Sequence, residues 1–79
     1  MTKQEILSQV EEIFRDVLDN TEIVLQEVTT SDDIIEWDSL SHIQLIVEIE
    51  KHFHVDFPAM QIISWKNVGD MIDYIYIHQ

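Results

Sequence analysis

The chain has 79 residues, with 16 Asp plus Glu against 4 Lys plus Arg and a formal net charge of −12. A chain this short forms one domain, residues 1–79, whose core is too small for a sizeable substrate chamber. The charge excludes a nucleic-acid binder and a protein drawn to anionic membranes, and suits a module that meets basic patches on other proteins.

Cysteine is absent, so there is no disulfide framework and no thiolate nucleophile or metal site. Gly69 and Pro58 are the only residues of their kinds, which favours helices over a fold with many tight turns. No apolar run is long enough to span a membrane. Met1 to Glu5 lacks the basic-then-apolar build of a signal peptide, so a cytoplasmic protein is expected; a monomer is expected as well.

Residues 3–18 read as an amphipathic helix. Ile6, Val10, Ile13, Phe14 and Val17 recur at spacings of 3 and 4, and Thr2 followed by Glu5 fits a capping box. Residues 19–38 hold no period and read as a long loop, with room for a helical turn near 22–26. Its seven acids (Asp19, Glu22, Glu27, Asp32, Asp33, Glu36 and Asp38) face no base. Ile23, Leu25, Val28, Ile34 and Ile35 are its expected anchors to the core. Residues 39–53 form the second helix behind an Asp38 N-cap. His54 to Pro58 breaks it, and a short third helix covers about 59–63. The last helix runs from Val68 to Ile77 behind an Asn67 cap and buries Val68, Met71, Ile72 and Ile75. The fold class is therefore all-α: a four-helix bundle of three longer helices and a short third one, with the long loop between helices 1 and 2.

The second helix carries two apolar arcs. At about 100° per residue, His42, Leu45, Ile46, Ile49 and Phe53 form a core stripe. Leu40, Ile43 and Val47 form a second arc, with Ser39 and Glu50 at its edge. Either bundle neighbours cover both arcs or the second is a patch for other proteins. Ser39 belongs to the first turn, where unpaired backbone N–H groups and the helix dipole favour a phosphate ester.

Trp37-Asp38-Ser39-Leu40, the aliphatic spacing from Ser41 to Phe53, the step Asp56-Phe57-Pro58, and Val68 with Ile72 to Ile75 together resemble the acyl carrier protein family, including its peptidyl carrier domains. The resemblance implies a 4′-phosphopantetheine arm on Ser39, installed by a phosphopantetheinyl transferase. It implies that Asp38 caps the helix and assists modification. It implies docking of partner enzymes on Leu40, Ile43 and Val47, with Glu48 and Glu50 as charged contacts. Those partners would be an acyl-loading ligase or acyltransferase, then downstream synthases or transferases of fatty-acid, polyketide or other secondary-metabolite biosynthesis. The chain itself would catalyse nothing and carry no metal. Gln44 and Lys51 stand where acids are common in fatty-acid carriers, and Trp37 before the motif looks more like dedicated carriers of secondary metabolism or sugar-acid pathways.

Other constellations are weaker. Asp38, Ser39 and His42 lack a Gly-x-Ser-x-Gly elbow and an oxyanion hole. Asp32, Asp33, Glu36 and Asp38 lack the alternation and central Gly of a calcium loop. His52 and His54 splay on a helix. Trp65, Tyr74 and Tyr76 are expected in packing, Trp65 between the third and fourth helices. Trp37 either packs under the loop or flanks the arm. The rival from another class is an acidic helical adaptor that binds a basic partner with no prosthetic group.

Overall fold

Capping chemistry starts every long helix where the sequence places it. In the computed structural model, which describes residues 1–79, helix α1 spans Lys3–Val17. Thr2 Oγ1 accepts the Glu5 N–H at 3.1 Å, and Glu5 Oε1 accepts the Thr2 N–H at 2.9 Å. Helix α2 spans Ser39–Phe53 behind Asp38, α3 spans Ala59–Ser64, and α4 spans Val68–Ile77 behind Asn67. Each cap satisfies amides that no helical carbonyl can reach.

Helix α1 packs against both α2 and α4. Ile6, Val10 and Phe14 from α1, Leu45, Ile46 and Ile49 from α2, and Val68, Met71, Ile72 and Ile75 from α4 form one buried cluster. Helix α3 buries no residue completely and leans on the cluster through Ile62. Trp65 packs between α3 and α4 as expected, its ring edge-on to Phe57 at 4.9 Å and to Tyr74 at 6.4 Å.

Residues 19–38 are a loop, but its anchoring differs in part from the sequence reading. Ile23, Leu25 and Ile34 are buried, whereas Val28 and Ile35 point outward and Thr29 is buried instead. The cause is backbone pairing with α4: Val68 N–H donates to Thr29 O at 2.9 Å and Gly69 N–H to Glu27 O at 2.7 Å. Those two bonds turn the chain at residues 27–29 so that Val28 faces solvent. No helical turn forms at 22–26, because Leu25 N–H is drawn to Glu11 Oε2 and Gln26 N–H to Thr29 Oγ1, both at 2.9 Å. A 3₁₀ turn forms at Ser31–Asp33 instead, closed by Thr30 N–H donating to Asp33 Oδ2 at 2.9 Å.

The loop-to-α4 pairing explains the only glycine. A Cβ on Gly69 would lie 2.9 Å from the Glu27 carbonyl oxygen and 3.1 Å from Glu27 Cβ. Alanine gains about 1 kcal/mol in helix propensity but forces the loop back at a cost of about 1–3 kcal/mol. Gly69→Ala is therefore expected to lower the urea midpoint of unfolding, against the usual sense of a Gly-to-Ala change within a helix.

Candidate functional site

Ser39 is the first residue of α2 and is exposed. The turn before it is locked on both sides. Asp38 Oδ1 accepts Ser41 N–H, and Ser41 Oγ accepts Asp38 N–H, each at 2.9 Å. Ser41 Oγ also donates to Glu36 O at 3.0 Å, so this buried hydroxyl is committed to structure. The Ser41 N–H bond to Asp38, then the Ser41 hydroxyl, hold the Asp38 carboxyl below its ordinary range. Its cap is thus fully present at neutral pH and lost as pH falls through that lowered value.

Trp37 lies on the loop side of this turn. Its ring is edge-on to Phe14 at 4.9 Å and stacks on His42 at 5.9 Å. Trp37 Nε1–H donates to His42 Nδ1 at 3.0 Å. That bond requires Nδ1 to be an acceptor, which assigns the proton of the neutral ring to Nε2. Trp37 packs on the core beneath the loop, the first of its two expected roles, and it also borders the cleft beside Ser39.

Partial burial pushes His42 below its ordinary value of 6.5. The unfolded chain therefore takes up this proton first as pH falls. The stability contributed by neutral His42 is complete above about pH 6.5 and lost as pH drops through the lower folded value. Protonation would also set an N–H against Trp37 Nε1–H. Thermal midpoints from about pH 7 to about pH 5 should fall more steeply for wild type than for His42→Gln, whose side-chain carbonyl can still accept from Trp37.

An open cleft of about 520 Å³ lies beside Ser39. Trp37, Asp38 and His42 border it from the α2 side, and Ile62, Trp65 and Lys66 from the α3–α4 side. Thr30, Ser31, Asn67 and Met71 complete its lining. Sequence reasoning reached Asp38, Ser39 and Trp37, but it missed Lys66, Asn67, Thr30 and Ser31 as neighbours of Ser39. No local pattern joins these residues to the serine; the loop-to-α4 pairing brings them there.

The two arcs of α2 separate as their spacing suggests. Leu45, Ile46 and Ile49 are buried, with His42 and Phe53 half-buried. Leu40 is 69%, Ile43 63% and Val47 42% exposed, so no bundle neighbour covers the second arc. Met60 and Ile63 on α3 are exposed too. Glu48 is exposed and lies 4.0 Å from Lys51. Glu50 is half-buried, and its Oε2 accepts Phe57 N–H at 2.8 Å, pinning the α2–α3 turn.

The family model of the phosphopantetheine attachment site matches residues 8–75. An acyl carrier protein of Acidothermus cellulolyticus is 33% identical over 75 residues, which is 95% of this chain and 89% of that protein. One from Rubrobacter xylanophilus is 30% identical over 79 residues, covering 100% of this chain and 98% of its own length. Among solved structures, the solution NMR structure of a holo acyl carrier protein from Geobacter metallireducens superposes with a TM-score of 0.86 at 42% identity, covering 91% of this chain and 83% of that one.

Proposed function

Because the chain belongs to the acyl carrier protein family, whose prosthetic group is 4′-phosphopantetheine, we propose that the Ser39 hydroxyl is the attachment point of that arm. The observation that carries this reading is an exposed serine at the first position of α2, on the rim of an open cleft. The residues present suit the group. The exposed hydroxyl leaves room for a phosphate ester, Lys66 brings a positive charge to the same cleft, and Trp37 and Trp65 offer it apolar faces. When bound, the arm supplies a terminal thiol that carries acyl groups as thioesters, chemistry for which this cysteine-free chain has no group of its own.

Each residue of the site then has a task. Asp38 and Ser41 fix the turn so that the Ser39 hydroxyl is presented outward to a phosphopantetheinyl transferase, which moves the arm from coenzyme A. Asp38, kept ionised by its hydrogen bonds, also assists a metal held by that enzyme, a role the family resemblance supports. Leu40, Ile43 and Val47 supply an apolar docking face for the transferase, for a loading ligase or acyltransferase, and for the enzymes that consume the acyl group. Glu48 adds a charge to that face. Glu50 supports it from below through its bond to Phe57. The chain catalyses no step itself. An adaptor without a prosthetic group would use the same face but would leave Ser39 and the cleft without a role.

Trp37, together with Gln44 and Lys51 at positions where fatty-acid carriers favour acids, supports a dedicated pathway over housekeeping fatty-acid synthesis. The charge distribution supports docking that is more apolar than the net charge suggests. Residues 1–37 carry 10 acids and 2 bases, whereas residues 38–79 carry 6 and 2. No helix is long and apolar enough to cross a membrane.

Two outcomes are expected. Incubated with coenzyme A and a broad-range transferase, the wild-type chain should gain the mass of one phosphopantetheine; an unchanged mass across several transferases would contradict the proposal. Val47→Asp should melt like wild type and be loaded with a kcat/KM lower by about tenfold, the effect of losing roughly 1.4 kcal/mol at an interface hot spot. Unfolding of Val47→Asp would instead place that side chain in the core.

A further inference from the structure

Lys66 is the one lysine or arginine of the chain with no acidic partner. Lys3 Nζ lies 2.9 Å from Asp73, Arg15 lies 3.1 Å from Glu11 and 3.5 Å from Glu12, and Lys51 lies 4.0 Å from Glu48. With 16 acids available to 4 bases, an unpaired ammonium is unexpected on statistics alone. Asp70, four residues on, is its obvious partner in sequence. In the structure Asp70 Oδ2 instead accepts the Lys66 backbone N–H at 2.8 Å, while Asp70 N–H donates to Asn67 Oδ1 at 3.0 Å. Asp70 thus fixes the backbone of Lys66 and leaves its head group without a counter-charge.

Lys66 is part of the lining of the cleft beside Ser39. Among the residues lining the cleft, Lys66 is the only lysine or arginine and Asp38 the only carboxylate. His42 also lines it, but burial keeps that ring neutral at pH 7. A phosphodiester on Ser39 would place a new negative charge one residue from Asp38, which is held ionised. Two like charges so close repel. Beyond the N-terminal amides of α2, Lys66 is the one lysine or arginine of the lining able to offset it.

We propose that Lys66 is the counter-ion of the phosphodiester that joins the arm to Ser39, and that it positions the first bonds of the arm over the cleft. This rests on attachment at Ser39. The stem of Lys66 starts from a fixed point: Trp65 before it packs on Phe57 and Tyr74, and Asn67 after it caps α4. Four flexible methylenes then carry a compact charge that can follow the phosphate as the arm moves. The arm is thereby biased toward the Trp37 and Trp65 walls, and a partner enzyme must compete with this ion pair to draw it out.

The test is NMR on the protein in apo and fully modified forms, with modification at Ser39 established by fragment mass. In the wild type, the Lys66 ¹³Cε and ¹⁵Nζ signals are expected to shift on modification while those of Lys3 and Lys51 stay in place. The ³¹P signal of holo Lys66→Gln should move to that of a short phosphopantetheinylated peptide, whereas holo Lys66→Arg should keep the wild-type value. The difference should shrink as NaCl is raised from about 0.05 M to about 1 M, where the Debye length falls to about 3 Å. Lys66 signals that are identical in apo and holo protein, or a ³¹P signal that Lys66→Gln does not move, would overturn the proposal while leaving attachment at Ser39 intact. A slower transferase on Lys66→Gln without those spectral changes overturns it too, because the lysine would then serve the enzyme and not the arm. An arm mapped to another residue refutes the attachment and this proposal together.

Discussion

Ser39→Ala is expected to take up no arm under conditions that fully modify the wild type. Alanine removes the hydroxyl proposed to form the ester and leaves everything around it unchanged. Asp38 and Ser41 hold the turn through each other, with no bond to the Ser39 side chain. The variant should therefore melt within about 0.5 kcal/mol of wild type, as an exposed substitution does. Two neighbouring serines make the expectation specific. Ser31 lines the same cleft, and Ser41 is two residues along the same helix. Ser41 is buried, and its hydroxyl is already committed to Glu36 and Asp38. Ser31→Ala should be modified as fast as wild type. Ser41→Ala should lose about 0.5–2 kcal/mol of stability through the damaged cap, yet still accept one arm. Uptake by Ser39→Ala would assign the ester to one of these hydroxyls or to another.

Phe14→Ala is expected to cost about 3–5 kcal/mol, the range for deleting a buried aromatic ring. Domains of this kind have roughly 5–15 kcal/mol in all, so the variant should be partly unfolded or close to it at 37 °C. Phe14 is completely inaccessible to solvent and sits where α1 meets the rest of the core. It is also the edge-on partner of Trp37, which in turn holds His42. The damage should therefore reach the Ser39 cleft as well as the global stability. Urea denaturation measures the first effect, and the near-ultraviolet circular dichroism of Trp37 at low denaturant measures the second. Phe14→Leu keeps most of the volume and should lose far less, while still removing the ring-on-ring contact with Trp37. A loss below about 1 kcal/mol for Phe14→Ala would mean that α1 is not packed as described.

The parts of this fold that were legible in the sequence are those written in local chemistry. Thr2 with Glu5, Asp38, and Asn67 announce helix starts because a capping side chain bonds to amides three residues away at most. The two arcs of α2 were legible because helical periodicity fixes direction once the helix is known, whereas the exposure of the second is read from the packing. Val28 and Ile35 were misplaced because hydrophobicity alone does not orient a side chain in a loop. There, distant partners decide: the Val68 and Gly69 amides capture the backbone around Val28, and Ile35 is left 98% exposed just ahead of the Ser39 turn. Lys66 was hidden for a related reason. Its spacing from Asp70 suggests an ordinary ion pair, yet Lys66 precedes α4, so the carboxylate meets its backbone instead. Glu50 looked like a surface charge because nothing in sequence shows that the chain returns to offer it the Phe57 amide.

Every functional role proposed for this chain depends on attachment of the arm at Ser39 and at no other residue. That attachment is tested most directly by fragmenting the fully modified wild-type chain in a mass spectrometer and locating the added mass along the peptide Trp37-Asp38-Ser39-Leu40-Ser41. Fragments are expected to gain the mass of one phosphopantetheine from Ser39 onward, and those ending at Asp38 to remain unmodified. Added mass on Ser31, on Ser41 or outside this segment would contradict it.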